Sequence, residues 1–229
     1  METAQLMNFL NFLFRWGHVL FGITWIGMLY YFNFVQGAYF KEATPEGLAD
    51  GKAKLAPRAL WWFRWGAMFT FLTGVVLLVG VIQQSVLNDL IVVGGVLGTL
   101  MFLNVWLVIW PNQKIALGIV KGGDTAAAGA KALLASRTNV LFSGPMAYMM
   151  LASPHLGYNS SHILSAEGGG IGLYIALALI AVLEVNALAG KQGPLTTVRG
   201  VITCSVILTA VLAGLLQRGL GLLGLQVPE

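Results

Sequence analysis

The segment Arg15-Trp16-Gly17-His18-Val19-Leu20-Phe21-Gly22-Ile23-Thr24-Trp25-Ile26-Gly27 places an arginine and a histidine inside a long apolar run. On a helix, residues three, four and seven apart share a face. From His18 that face carries Arg15, Gly22 and Trp25. It combines a cation, an imidazole, a missing side chain and a large flat ring. An imidazole can bind a metal or carry a proton, and a guanidinium fork can clamp an anion. Ionisable groups in a membrane segment are costly and face a protein interior or a cavity. The stripe therefore needs cover from another helix, a cofactor, or both.

The elements that must position it follow from composition. The chain has 229 residues, is 57% hydrophobic and only 10% charged, against roughly 25% charged in a soluble domain. The fold class is all-α, a polytopic transmembrane helix bundle in contact with the lipid bilayer. With about 20 apolar residues needed per crossing, about six spans are predicted. They cover residues 8–40, 59–82, 90–110, 135–152, 170–188 and 201–216, in a single domain over 1–229. Pro111 is expected to end the third span and Pro154 the fourth, because proline cannot continue a helical ladder. Residues 43–57 read as a short polar connection. Residues 124–135 read as an alanine-rich helical lead into the fourth span.

Loop charges set the orientation. Lys41, Lys52, Lys54 and Arg58 fall in the first loop, Lys114, Lys121 and Lys131 in the third, and Lys191 and Arg199 in the fifth. The second and fourth loops, 83–89 and 153–169, have neither lysine nor arginine. The odd loops are thus predicted to be cytoplasmic and both termini to face outward, to the periplasm. The same distribution explains the net charge of +4 without a nucleic-acid partner. The lone Cys204 rules out an intrachain disulfide or a cysteine metal cluster, and no CxxCH haem-attachment motif occurs. Nothing at the N-terminus reads as a cleaved signal, so the first helix is expected to direct its own insertion.

This topology puts Arg15, His18 and His155 in the outward half, with His162 in the loop beyond. Asn33, Gln36, Arg64, Asn104, Asn139, Glu184 and Asn186 fall in the inward half. Histidines on two helices near one membrane face can hold a b-type haem through axial imidazoles. A proton or quinone site, and a hydrogen-bonded structural histidine, stay open beside that reading. Arg15 is either a propionate or anion clamp or a snorkelling cation. Arg64 and Glu184 are candidates for a buried pair. Trp61, Trp62, Trp65, Trp106 and Trp110 suit an interfacial aromatic belt. Gly94 and Gly98 have the small-xxx-small spacing of close helix packing.

Several blocks together resemble a known family. They are Arg15–Val19 with Trp25–Gly27 and Tyr30–Asn33; Trp62–Gly66; Asn104–Trp106 with Ile109-Trp110-Pro111-Asn112-Gln113-Lys114; and Arg137–Asn139 with Ser143, Pro145, Met146 and His155. They are similar to the N-terminal membrane domain of the membrane-bound urate oxidase (urate hydroxylase) family, over roughly residues 10–155. The resemblance implies a multi-pass oxidoreductase of the bacterial inner membrane. It raises His18 and His155 as haem iron ligands, with Arg15, Gly22 and Trp25 around the cofactor. Asn104, Asn112, Lys114, Arg137 and Asn139 become its polar framework. In the family, electrons pass to a fused c-type cytochrome domain. This sequence contains none, so the expectation is a separate cytochrome, with the substrate unassigned. The alternative is a non-catalytic accessory subunit of a larger membrane complex, with structural histidines. A transporter would want broken helices and a midplane site, and ranks behind both.

Overall fold

The computed structural model describes residues 3–156 and 170–217. Those residues are helical throughout, joined by short turns and without a β-strand. Helix α1 (Thr3–Tyr30) runs through a π-helical turn, Tyr31–Gln36, into α2 (Gly37–Glu42). Helix α3 (Pro45–Asp50) runs through a second π turn, Gly51–Leu55, into α4 (Ala56–Gln83). Helix α5 (Asp89–Leu103) passes through a third, Asn104–Ile109, into α6 (Trp110–Ala116). Helices α7 (Thr125–Leu156), α8 (Ile171–Ala189) and α9 (Val198–Leu216) complete the order.

Among the described residues five rods are long and apolar enough to cross a membrane: Gln5–Glu42, Pro45–Gln83, Asp89–Ala116, Ile171–Ala189 and Val198–Leu216. The chain is a multi-pass, all-helical membrane protein. Helix α7 occupies the expected fourth span but is less apolar than the others. With 32 residues it is about 48 Å long at ~1.5 Å per residue, so length is not the obstacle. Four of its polar residues, Arg137, Thr138, Asn139 and Ser143, are buried. They face protein, and this lowers the hydropathy of α7 without exposing polar groups to lipid.

The chain forms two compact units. The first comprises residues 1–80 and 102–140. Its axis is a close contact between α1 and α4. A Cβ on Gly66 would stand 3.1 Å from the Trp25 backbone nitrogen, and one on Gly74 would stand 3.0 Å from His18 Cε1. Gly66, Thr70 and Gly74 recur every four residues, so one flat stripe of α4 receives α1. Where lipid removes the hydrophobic drive between helices, such small-residue seams provide the association. Phe32 packs edge-on against Phe63 with ring centroids 5.5 Å apart. The start of α7 joins through Asn33, whose Nδ2 donates to Ser136 Oγ at 2.8 Å.

The second unit comprises residues 81–101 and 141–229, described here up to Gln217. The Asn88 side chain accepts from the Ile91 amide and so caps α5. A Cβ on Gly94 would meet Met149 and Met150 at 3.1–3.3 Å, and Gly98 faces Met146 and Met150. Gly144 leaves room for Ser205 on α9, and Gly172 lies against the Leu215 carbonyl. The small-xxx-small spacing at Gly94 and Gly98 does serve close helix packing.

Several boundaries differ from the sequence reading. The polar connection at 43–57 is helical from Pro45 onward. Thr44 caps α3 by accepting from the Gly47 amide at 3.2 Å, with Pro45 at the first helical position. Neither Pro111 nor Pro154 ends its helix. Pro111 opens α6 just after a π turn, where a missing N–H is tolerated. Pro154 lies in the last turn of α7, which also runs on through Pro145. The helical lead into α7 holds: Asp124 accepts from the Ala126 and Ala127 amides and starts the helix at Thr125.

Candidate functional site

His18 sits in the groove of α4 that Gly74 opens. Its Nδ1 lies 2.9 Å from the Thr70 carbonyl oxygen and 3.2 Å from Thr73 Oγ1. A carbonyl only accepts, so Nδ1 carries the proton and donates. The Thr73 hydroxyl donates its own proton to the Phe69 carbonyl at 2.7 Å and presents a lone pair to the ring. In the neutral imidazole Nε2 is then the free acceptor. Metal-binding histidines are commonly fixed in this way, by a carbonyl on the nitrogen that does not ligate. The side chain is half-buried, as a ligand that must reach a partner should be.

The rest of the stripe divides. Gly22 faces Thr70, with its added Cβ at an ordinary 3.9 Å from Thr70 Cγ2. Trp25 is 2% exposed, and its indole Nε1 has no hydrogen-bond partner. Arg15 is exposed and donates through Nε to Asn11 Oδ1 at 2.8 Å, one turn back on its own helix. His155 is exposed in the last turn of α7, in the second unit. His162 lies outside the described residues. Among the described residues no group of three or more His, Cys, Asp or Glu side chains gathers around a common point. For Arg64 the structure gives a ring as neighbour: its guanidinium carbon lies 3.4 Å from the centroid of Trp110. Glu184 belongs to the second unit and has contacts of its own.

A second polar layer lies deeper in the first unit, toward its lysine-bearing loops. Three contacts define its level: Asn33 to Ser136, Phe32 to Phe63, and Arg64 over Trp110. Asn104 donates to Asn139 Oδ1 at 3.0 Å and links the third π turn to α7. Two of the π turns, Tyr31–Gln36 and Asn104–Ile109, carry polar members of this layer. Such turns widen a helix and recur at functional sites. Buried N–H and acceptor atoms here lack partners: Asn33 Oδ1, Gln36 Oε1, Arg64 Nη1, Trp106 Nε1, and Nε and Nη1 of Arg137. Unsatisfied buried polar atoms are few in folded proteins, and each calls for a reason. The sequence reading named most of these residues. It placed Asn33, Gln36, Arg64, Asn104 and Asn139 together in the inward half, but not Trp106 or Arg137 with them, and it had no sign of the π turns that carry Asn33 and Asn104.

Below this layer is a cavity of about 400 Å³. Gln36, Lys52, Leu60, Gln113 and Gly129 each bring a different helical segment to its wall. Of the resemblance's framework residues, Asn112 donates to the Val108 carbonyl at 2.7 Å, and Lys114 Nζ stands 5.4 Å from the Trp110 ring. The tryptophans do cluster: Trp65 meets Trp106 at 5.9 Å and Trp61 at 6.3 Å between centroids.

Comparison of the chain with family models, with curated proteins and with solved structures gives no match.

Proposed function

We propose that this chain is a redox protein of the bacterial inner membrane, similar to the membrane domain of the urate oxidase family. In this reading it holds a b-type haem through His18 and His155 and delivers electrons to a separate c-type cytochrome. The observation that carries the proposal is the seat of His18. Its Nδ1–H is tied to the Thr70 carbonyl, and Gly74 leaves no side chain in the way. That arrangement fixes the tautomer with Nε2 as the free nitrogen, which is what a metal ligand needs. A haem would supply one-electron chemistry. The chain's own residues orient the imidazole and exclude water around it, with Gly22 and Trp25 on the same face. Arg15 belongs to the outward end of that helix, where a guanidinium can meet a propionate. Lysine-rich odd loops support an arrangement with both termini periplasmic, on the side of a soluble cytochrome.

The test is the haem content of the detergent-purified chain by pyridine haemochrome assay. The proposal requires bound haem, and its loss in both His18→Ala and His155→Ala. Haem-free, well-folded protein overturns it.

One observation favours the accessory-subunit reading. From Leu6 to Trp16 nearly every residue of α1 is exposed on all sides, including Phe9, Phe12, Phe14 and Trp16. A partner helix could pack there. Co-purification with a larger complex at fixed stoichiometry, without haem, would shift the assignment to that reading.

A further inference from the structure

Two threonines on α4 stand beside the His18 ring, and they meet it in different ways. Both turn a methyl group toward a glycine of α1: Thr70 Cγ2 toward Gly22 and Thr73 Cγ2 toward Gly17, each 3.9 Å from where a Cβ would stand. The Thr70 hydroxyl is committed to the Gly66 carbonyl at 2.7 Å. What Thr70 offers the ring is its carbonyl, 2.9 Å from Nδ1. A carbonyl oxygen has two lone pairs, so it can stay in the helical ladder and still accept from an imidazole.

Thr73 offers its side chain. A helical threonine divides between two rotamers, because its hydroxyl can reach the carbonyl three or four residues back. Here Oγ1 lies 2.7 Å from the Phe69 carbonyl and 3.0 Å from that of Thr70. The same rotamer leaves Oγ1 3.2 Å from His18 Nδ1. With the hydroxyl proton on Phe69, the shorter contact, the oxygen turns a lone pair to the ring. A hydroxyl that donates is polarised and becomes a better acceptor. The Nδ1–H is therefore shared between two oxygens. One acceptor would leave the ring free to turn about the hydrogen bond, whereas two define its plane.

We propose that Thr73 is a positioning residue for His18. Its hydroxyl is the second acceptor of Nδ1–H, fixes the plane of the ring and raises the electron donation of Nε2. The consequence for metal binding rests on the haem reading above, and the hydrogen bond itself does not. Partners behind a metal-ligating histidine orient it and raise its basicity, and their loss costs about 10- to 100-fold in metal affinity.

The test compares Thr73→Val, which removes the hydroxyl and keeps the shape, with Thr73→Ser, which keeps the hydroxyl. Thr70→Val is the control, since that hydroxyl is spent on Gly66. The first readout is nitrogen-15 NMR of the histidine-labelled full chain, prepared without haem in detergent. The chain has three histidines, and His18→Ala assigns the signal. His18 should show the Nδ1–H tautomer, with its proton resonance moved upfield in Thr73→Val and unmoved in Thr73→Ser and Thr70→Val. The second readout is haem titration with redox potentiometry. Thr73→Val should bind haem about tenfold more weakly and at a higher midpoint potential, because a less electron-rich imidazole stabilises the oxidised iron less. Thr73→Ser should restore both. An Nδ1–H resonance indifferent to Thr73→Val overturns the proposal whether or not haem binds. So does bound haem whose affinity and potential ignore that substitution. The expected NMR shift in a chain that binds no haem supports the role of Thr73 and defeats the haem reading alone.

Discussion

The two units solve the interior of a membrane protein differently. The second is closely packed: Gly94 and Gly98 face methionines, Gly144 faces Ser205, and Gly172 faces a carbonyl. Its polar side chains are engaged, as when Ser153 Oγ donates to Asn88 Oδ1 at 3.2 Å. The first unit has π turns, a cavity, and nearly all of the buried polar atoms without partners. Among the described residues of the second unit, Asp89 is buried and has contacts of its own. One unit is built like a scaffold. The other keeps polar atoms unsatisfied, at a cost of about 1–3 kcal/mol per buried group. Such a cost persists where something outside the chain completes the contacts.

Substitutions can break this contrast. The largest effect is expected from Gly172→Ala in the second unit, where the new Cβ would collide with the Leu215 carbonyl. Backbone cannot move aside as a flexible side chain can, so destabilisation of about 3 kcal/mol is expected. Thermal unfolding in detergent measures it, and haem content per folded molecule should not change. Next is Asn139→Leu in the first unit, which removes the acceptor of the Asn104 Nδ2–H and should cost about 2 kcal/mol. The double change with Asn104→Leu should recover much of that loss. A double change as costly as the sum of the singles would contradict this.

Arg137→Met tests the first unit from the other side. Arg137 is 9% exposed, with Nε and Nη1 buried and unpaired. Replacing an unpaired buried charge with an apolar chain of similar length is expected to stabilise the ligand-free protein by about 1–2 kcal/mol. A lower melting temperature would mean that Arg137 has a structural role. The smallest effect is expected at Thr197, which caps α9 by accepting from the Gly200 amide at 3.0 Å. Thr197→Ala should cost about 1 kcal/mol and leave ligand binding in the first unit unchanged.

What the sequence made legible follows from the physics of each signal. Long apolar runs gave the helices their approximate place, although five of the described rods, against about six expected spans, are long and apolar enough to cross a membrane. Asp124 and the alanines after it announced the start of α7. Thr44-Pro45-Glu46 carried an equally good start signal, which was lost within a stretch read as polar loop. Pro111 and Pro154 misled because a proline's effect depends on its position within a turn, and position is set by neighbours. The stripe from His18 to Trp25 was right in its face, since Gly22 and Trp25 do turn toward α4. Its missing half was the partner stripe Gly66-Thr70-Gly74, visible as small residues four apart but ordinary in a glycine-rich chain. Arg15 stands apart because a long side chain near a helix end reaches its own preceding turn. The orphaned polar layer was the least legible, because it depends on π turns and on the depths at which three helices meet.

The seat of His18 bears most of the functional account, and one spectrum tests it most directly. It is the dithionite-reduced minus air-oxidised difference spectrum of the purified chain, recorded beside His18→Ala and Gly74→Ala. The account predicts a b-type band in the native chain and none in His18→Ala. In Gly74→Ala the band should be shifted or weakened, because the added methyl crowds the imidazole away from Thr70. A flat spectrum from folded protein, or a band that survives His18→Ala unchanged, would contradict it.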